Sequence, residues 1–185
     1  MSLTKNIILT GPPGVGKTTL VKKVCESLVQ NGASIHGFYT EEVRKDGRRI
    51  GFDVVSTDGK RAPLARLCGL VKDVRGPSVG QYTVCLQSFE EVSLPSLQPP
   101  CNCDLIVLDE VGKMELFSHS FDDLVRQLFD NSSTPILVTV PITRGKPIPL
   151  VEKIKSCQNS VLFVVSRDNR DRLESEILVA LGAKK

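Results

Sequence analysis

The chain is predicted to form a three-layer α/β fold, a largely parallel sheet with helices on both faces and a β-hairpin or meander insert. Three observations carry this. Short apolar runs alternate with stretches of helical periodicity, a glycine-rich loop joins the first run to the first helix, and two Asp-Gly turns mark a β-rich stretch early in the chain. Because strand–helix–strand crossovers are right-handed, the alternation places helices on both faces.

The first apolar run, KNIILT at 5–10, ends at Gly11 and reads as a buried strand feeding a loop. Past the loop, Leu20, Val21, Val24, Cys25 and Leu28 share one helical stripe, with Lys22, Lys23, Glu26 and Gln30 opposite. This predicts a helix over about 17–30 that Asn31-Gly32 stops. Next, Asp46-Gly47 lies between two β-rich runs and Asp58-Gly59 follows the second, the chemistry of tight hairpin turns, while Ile50, Phe52 and Val54 alternate on one face. A meander is expected here, with a further strand over 79–86 and a Pro-rich loop through 95–100.

CDLIVLDE at 103–110 sets an apolar run directly before two carboxylates, the pattern of a central parallel strand buried on both faces with its C-terminal end open. A helix near 118–130, a strand at 135–140, a helix near 148–156, a strand at 160–165 and a helix near 169–181 complete the order. No internal repeat or low-complexity tract is present.

Length and composition bound the function. The 185 residues suffice for one well-buried domain, read as 1–185 with the β-rich insert at about 37–86. Hydrophobic residues at 41% and charged residues at 24% exclude disorder and fibrous repeats. A net charge of +3 without a block of like charge does not indicate a nucleic-acid partner. With no cleavable signal and no run of about eighteen apolar residues, a soluble, cytoplasmic, monomeric protein with no membrane partner is expected. The six cysteines lack a disulfide-like spacing and are expected reduced. Cys101 and Cys103 invite a zinc reading, but zinc needs about four ligands and His36 and His119 are far off in sequence, so unpaired loop thiols are the better reading.

The stretch LTGPPGVGKTTL holds the main chemistry. Gly11, Gly16, Lys17 and Thr18 fit G-x-x-x-x-G-K-[S/T] between a predicted strand and a predicted helix. Residues 11–19, namely Gly11, Pro12, Pro13, Gly14, Val15, Gly16, Lys17, Thr18 and Thr19, would cradle a polyphosphate, because glycines let backbone N–H groups turn inward at the positive end of a helix. Lys17 would reach the β- and γ-phosphates, Thr18 would present its hydroxyl to Mg²⁺, and Thr19 would contact the α-phosphate. Asp109, at the mouth of a buried strand, is the second expected Mg²⁺ residue, and Glu110 the group that polarises the attacking water. A pair of solvated carboxylates, or a cap for the next segment, is the plainer alternative.

Further candidates are less specific. Arg144 and Lys146, on a Gly/Pro-bounded loop after a strand, would close over the γ-phosphate as catalytic cations, or else are two solvated surface charges. Thr139 would sense the γ-phosphate, and Lys113 would orient or neutralise the carboxylates. Asn169 and Arg170 would flank the base after the last strand, against helix capping by Ser166 or Asp168. Glu41, Glu42 and Arg44 read as charges on an exposed strand face, and Phe38, Tyr39 and Phe52 as packing residues.

With GFYTEEVR, GRRIGFDVV, VGQY, DEVGKMELFS, GKPIPLVE and the NR of SRDNRD added to the phosphate loop, the chain resembles over nearly its whole length the small P-loop nucleoside-triphosphatases first described from thermophiles. The resemblance implies a RecA-like P-loop NTPase with an extra strand between the Walker A and Walker B strands. It implies Mg²⁺-dependent, slow hydrolysis of ATP, GTP and other nucleoside triphosphates with broad base tolerance, and a catalytic glutamate matching Glu110. The arginine that the family usually has before VGQY is Ser78 here, with Arg75 nearby, so its role is not carried over. A kinase for a nucleotide or other small hydroxyl compound, and a nucleotide-dependent switch with weak hydrolysis, are the rival readings.

Overall fold

A computed structural model describes residues 5–69, 76–143 and 145–183. Among them, nine strands form one sheet in the order β5-β6-β4-β3-β2-β7-β8-β1-β9, with β1 at Asn6–Gly11, β2 at Ile35–Lys45, β3 at Arg48–Ser56, β4 at Arg61–Leu67, β5 at Ser78–Val79, β6 at Tyr82–Val84, β7 at Leu105–Asp109, β8 at Ile136–Pro141 and β9 at Ser160–Val164. Strands β2, β7, β8, β1 and β9 are parallel, and β3, β4, β6 and β5 continue antiparallel. Strand β8 lies between β1 and β7, the extra strand that the resemblance implies.

The meander grows directly out of the core. Strand β2 pairs in parallel with β7 through Ile35–Tyr39 and antiparallel with β3 through Phe38–Lys45, so the same strand serves both parts of the sheet.

Alternation along the central strands explains the layers. Ile7, Leu9, Leu105, Val107 and Leu137 face helices α1 (Lys17–Gln30) and α5 (Arg170–Leu181), which bury Leu20, Val21, Val24, Leu28, Leu173 and Ile177 against them. Ile8, Ile106, Leu108, Ile136, Val138 and Val140 face the other way, onto α2 (Leu86–Ser96), α3 (His119–Asn131) and α4 (Pro149–Lys155). On that side Phe38, Phe89 and Phe121 are fully buried, with ring centroids 5.1 to 5.9 Å apart in edge-to-face contacts. Such packing contributes beyond the area buried.

One helix was not foreseen. Residues 86–96 form α2 where a strand end and then a Pro-rich loop were expected, and the strand expected over 79–86 is two short strands parted at Gly80. Pro95 sits in the last turn of α2, so it ends the helix rather than preventing it. Phe89 and Val92, three apart, bury into the core and hold α2 in place. Among the described residues no helix is long and apolar enough to cross a membrane.

Candidate functional site

Strand β1 ends at Gly11 and α1 begins at Lys17, so the residues between form a loop at the C-terminal edge of the sheet. Gly14 and Gly16 take φ values of 73° and 105°, in the left-handed region that side chains disfavour. Gly16 occupies the N-cap position of α1, with no side-chain cap and no acidic residue in the first turn. The first amides of α1 are therefore left to an external anion, at the positive end of the helix.

Lys17 is buried, and its Nζ donates to the carbonyls of Gly11 at 3.1 Å and Pro12 at 3.5 Å while standing 3.6 Å from Glu110 Oε2. Thr18 is half-buried, whereas Pro12, Pro13 and Thr19 are exposed at the loop surface.

Asp109 closes β7 and is 1% exposed. The fully buried Thr139 on β8 donates its hydroxyl to Asp109 Oδ1 at 2.6 Å. Its bond is thus with the carboxylate, not the free contact toward phosphate that the sequence suggested. Asp109 Oδ2 is buried without a hydrogen-bond partner among the described residues. Burial pushes the Asp109 carboxyl above its ordinary range, while the hydroxyls of Thr139 and Thr18 and the Lys17 charge pull it back. An orphaned buried oxygen beside a threonine hydroxyl is a hard, oxygen-only donor set, which fits a small divalent cation such as Mg²⁺.

Glu110 is half-buried, and burial raises its pKa against the Lys17 charge that lowers it. Beyond it the chain turns back on itself, with the Val111 amide donating to the Thr139 carbonyl at 2.9 Å and the Gly112 amide to Glu115 Oε2 at 3.1 Å. Glu115 is 5% exposed, and burial, with the Glu110 charge next, pushes its carboxyl up to about 8. Sequence reasoning passed over Glu115; its one signal was a charged residue inside the otherwise apolar MELF that follows the carboxylates.

The other candidates separate. Arg144 and Arg75 lie outside the described residues. Lys146 and Lys113 are exposed on their loops. Asn169 does not turn toward a base: its Oδ1 accepts from the Ser166 amide at 2.8 Å and its Nδ2 donates to the Val164 carbonyl at 2.8 Å, so both ends of the amide are spent on the loop's own backbone. It occupies the N-cap position of α5, which neither Ser166 nor Asp168 takes. Arg170 instead reaches the phosphate loop, its guanidinium donating to the Val15 carbonyl at 3.2 Å. With Gly16, Thr19, Leu20, Lys23 and Asp171 it lines a hollow of about 240 Å³ beside the loop.

Glu41 pairs with Lys22 of α1 and with Arg61, and Glu42 with Arg44 and Arg49, so the carboxylates of this strand are each matched by basic groups. Phe38 is core, Phe52 packs on Tyr82, and Tyr39 lies under the Lys22 ammonium.

A family model described as NTPase matches residues 6–178. The human cancer-related nucleoside-triphosphatase is 45% identical over 190 residues, covering 99% of this chain and 100% of that protein. Nucleoside-triphosphatase THEP1 of Thermotoga maritima is 42% identical over 177 residues, covering 95% of this chain and 94% of that protein. Among solved structures, the crystal structure of THEP1 from Aquifex aeolicus superposes with a TM-score of 0.81 at 40% identity over 95% of this chain and 98% of that one.

Proposed function

The chain belongs to the nucleoside-triphosphatase family, and on that premise we propose that it is a Mg²⁺-dependent hydrolase that splits ATP, GTP and other nucleoside triphosphates into diphosphate and phosphate with little preference for the base. The observation that carries this reading is the meeting of Lys17 and Glu110 at 3.6 Å beside buried Asp109, at the uncapped N-terminus of α1.

The phosphate-loop amides hold the phosphate tail, and Lys17 sets its ammonium against the oxygens that gain charge as the terminal bond breaks. Asp109 and the Thr18 hydroxyl would hold Mg²⁺, which when bound would neutralise phosphate charge. Glu110 takes a proton from the attacking water as its oxygen bonds to the terminal phosphorus and the bridging oxygen leaves with the diphosphate. Burial strengthens Glu110 as a proton acceptor, which suits that task. Thr139 holds Asp109 in a single orientation.

The hollow beside Arg170 supports the base tolerance. Flexible cations and aliphatic stems line much of it, and these hold a base by stacking and charge more than by reading its edge. Six free cysteines support a reducing, cytoplasmic location.

Phosphate release from ATP, GTP, CTP and UTP, with Mg²⁺ and with EDTA, tests the reading. The expected result is kcat/KM values within about tenfold of one another, all lost in EDTA. A strong preference for one base would remove the tolerance. Transfer to an added hydroxyl compound in place of phosphate release would make the protein a phosphotransferase.

A further inference from the structure

The segment after the two carboxylates is held at several points. The Val111 amide is tied to the β8 carbonyl of Thr139, the Gly112 amide to Glu115 Oε2, and the Leu116 amide to the Gly112 carbonyl at 3.1 Å. Glu115 opens a single 3-10 turn, Glu115–Phe117, whose end is capped onto α3 through Ser118. Its carboxylate is thus a buried fixed point that a solvated glutamate would not be.

Gly112 lies between two carboxylates. A Cβ built on it would stand 2.8 Å from Glu110 Oε1 and 3.1 Å from Glu115 Oε2. Gly112 is not among the residues with positive φ, so its backbone would accept a side chain; what a side chain would meet first is the end of the Glu110 side chain, and next that of Glu115. The absence of a Cβ therefore leaves room for the Glu110 carboxylate where it rests.

We propose that Gly112 and Glu115 form a seat for the Glu110 carboxylate, with Glu115 a positioning residue that fixes the Gly112 peptide and Gly112 a glycine because a methyl group there would displace the base. The inference rests on the reading of Glu110 as the base. Gly112 and Glu115 reach the phosphate loop only through Glu110, whose carboxylate stands 3.6 Å from Lys17, so the seat is expected to act on turnover far more than on nucleotide capture. A displacement of about an ångström at a reacting group is enough to slow chemistry substantially.

The test compares Gly112→Ala, Glu115→Ala and Glu115→Gln, with Gly112→Ala repeated in a Glu110→Gln background. For each variant kcat, KM for ATP, the Kd of a fluorescent ATP analogue and Tm are measured. Gly112→Ala is expected to lower kcat about tenfold or more with Kd within about twofold and Tm little changed. Glu115→Ala should lower kcat similarly, and Glu115→Gln should recover most of that loss, because its amide oxygen still accepts from the Gly112 N–H. In the Glu110→Gln background Gly112→Ala should cause little further loss, since the side chain it displaces no longer acts as a base. A wild-type kcat in Gly112→Ala, or an equal further loss in the Glu110→Gln background, overturns the seat. Fast turnover by Glu110→Gln alone overturns the base, and the seat with it, and is distinguishable because Gly112→Ala is not involved.

Discussion

Replacing Glu115 by glutamine should make the nucleotide-free protein more stable at alkaline pH and leave it nearly unchanged at acid pH. Glu115 is 5% exposed, and burial followed by the Glu110 charge moves its carboxyl from 4.5 to about 8. A carboxyl whose pKa is raised in the folded chain contributes stability while protonated, in full below its unfolded value and lost as pH rises through the folded value. The window runs from about 4.5 to 8. That gap corresponds to at most about 5 kcal/mol, at roughly 1.4 kcal/mol per pH unit. Local relaxation and water entry reduce this, so a gain of about 2 to 5 kcal/mol is expected for Glu115→Gln at pH 9, against less than about 1 at pH 5. The carboxyls of Asp109 and Glu110 are also raised by burial, so the wild type loses stability over the same direction of pH, and the variant keeps their share of that slope. Urea unfolding in EDTA at pH 5, 7 and 9, fitted with a common m-value, reads the difference. Parallel stability profiles for wild type and variant would refute the reasoning, as would a gain largest at pH 5.

Lys17→Ala should weaken Mg²⁺-nucleotide binding by about a hundredfold or more, read by titration calorimetry, if the ammonium beside Gly11 and Glu110 is the cation that meets the phosphate tail, as proposed. Thr139→Val should lower stability by about 1 to 3 kcal/mol in chemical denaturation by leaving Asp109 Oδ1 buried without its 2.6 Å donor. Phe121→Ala should cost about 3 to 5 kcal/mol, because its fully buried ring packs on both Phe38 and Phe89 and its removal leaves a cavity there. A loss below about 1 kcal/mol there would mean the aromatic cluster is not the packing centre of that face.

The parts legible in the sequence are those whose chemistry is local. The phosphate loop announces itself because glycine, lysine and threonine must occur at fixed intervals along a few consecutive residues. Asp109 shows because an uninterrupted apolar run delivers it to a strand end. What was not legible depends on partners distant in the chain. Thr139 and Asp109 are joined only because β8 lies beside β7, a neighbour relation that periodicity does not carry. Asn169 reads as a ligand because its loop follows the last strand, where open α/β sheets place ligand contacts, yet its short side chain is met first by backbone groups a few residues back. Helix α2 was hidden by Pro95, whose place in the last turn matters more than its presence. Glu115 went unremarked because a buried carboxylate is recognised by what surrounds it, here Gly112 and Glu110.

The central claim is that Lys17, Asp109 and Glu110 hydrolyse a nucleoside triphosphate, with Glu110 as the acceptor of the water's proton. Its most direct test is single-turnover phosphate release by Glu110→Gln at saturating Mg²⁺ and ATP, with nucleotide affinity measured on the same preparation. The account predicts affinity within about threefold of wild type and a release rate lower by about a hundredfold or more. Wild-type release at unchanged affinity would contradict it.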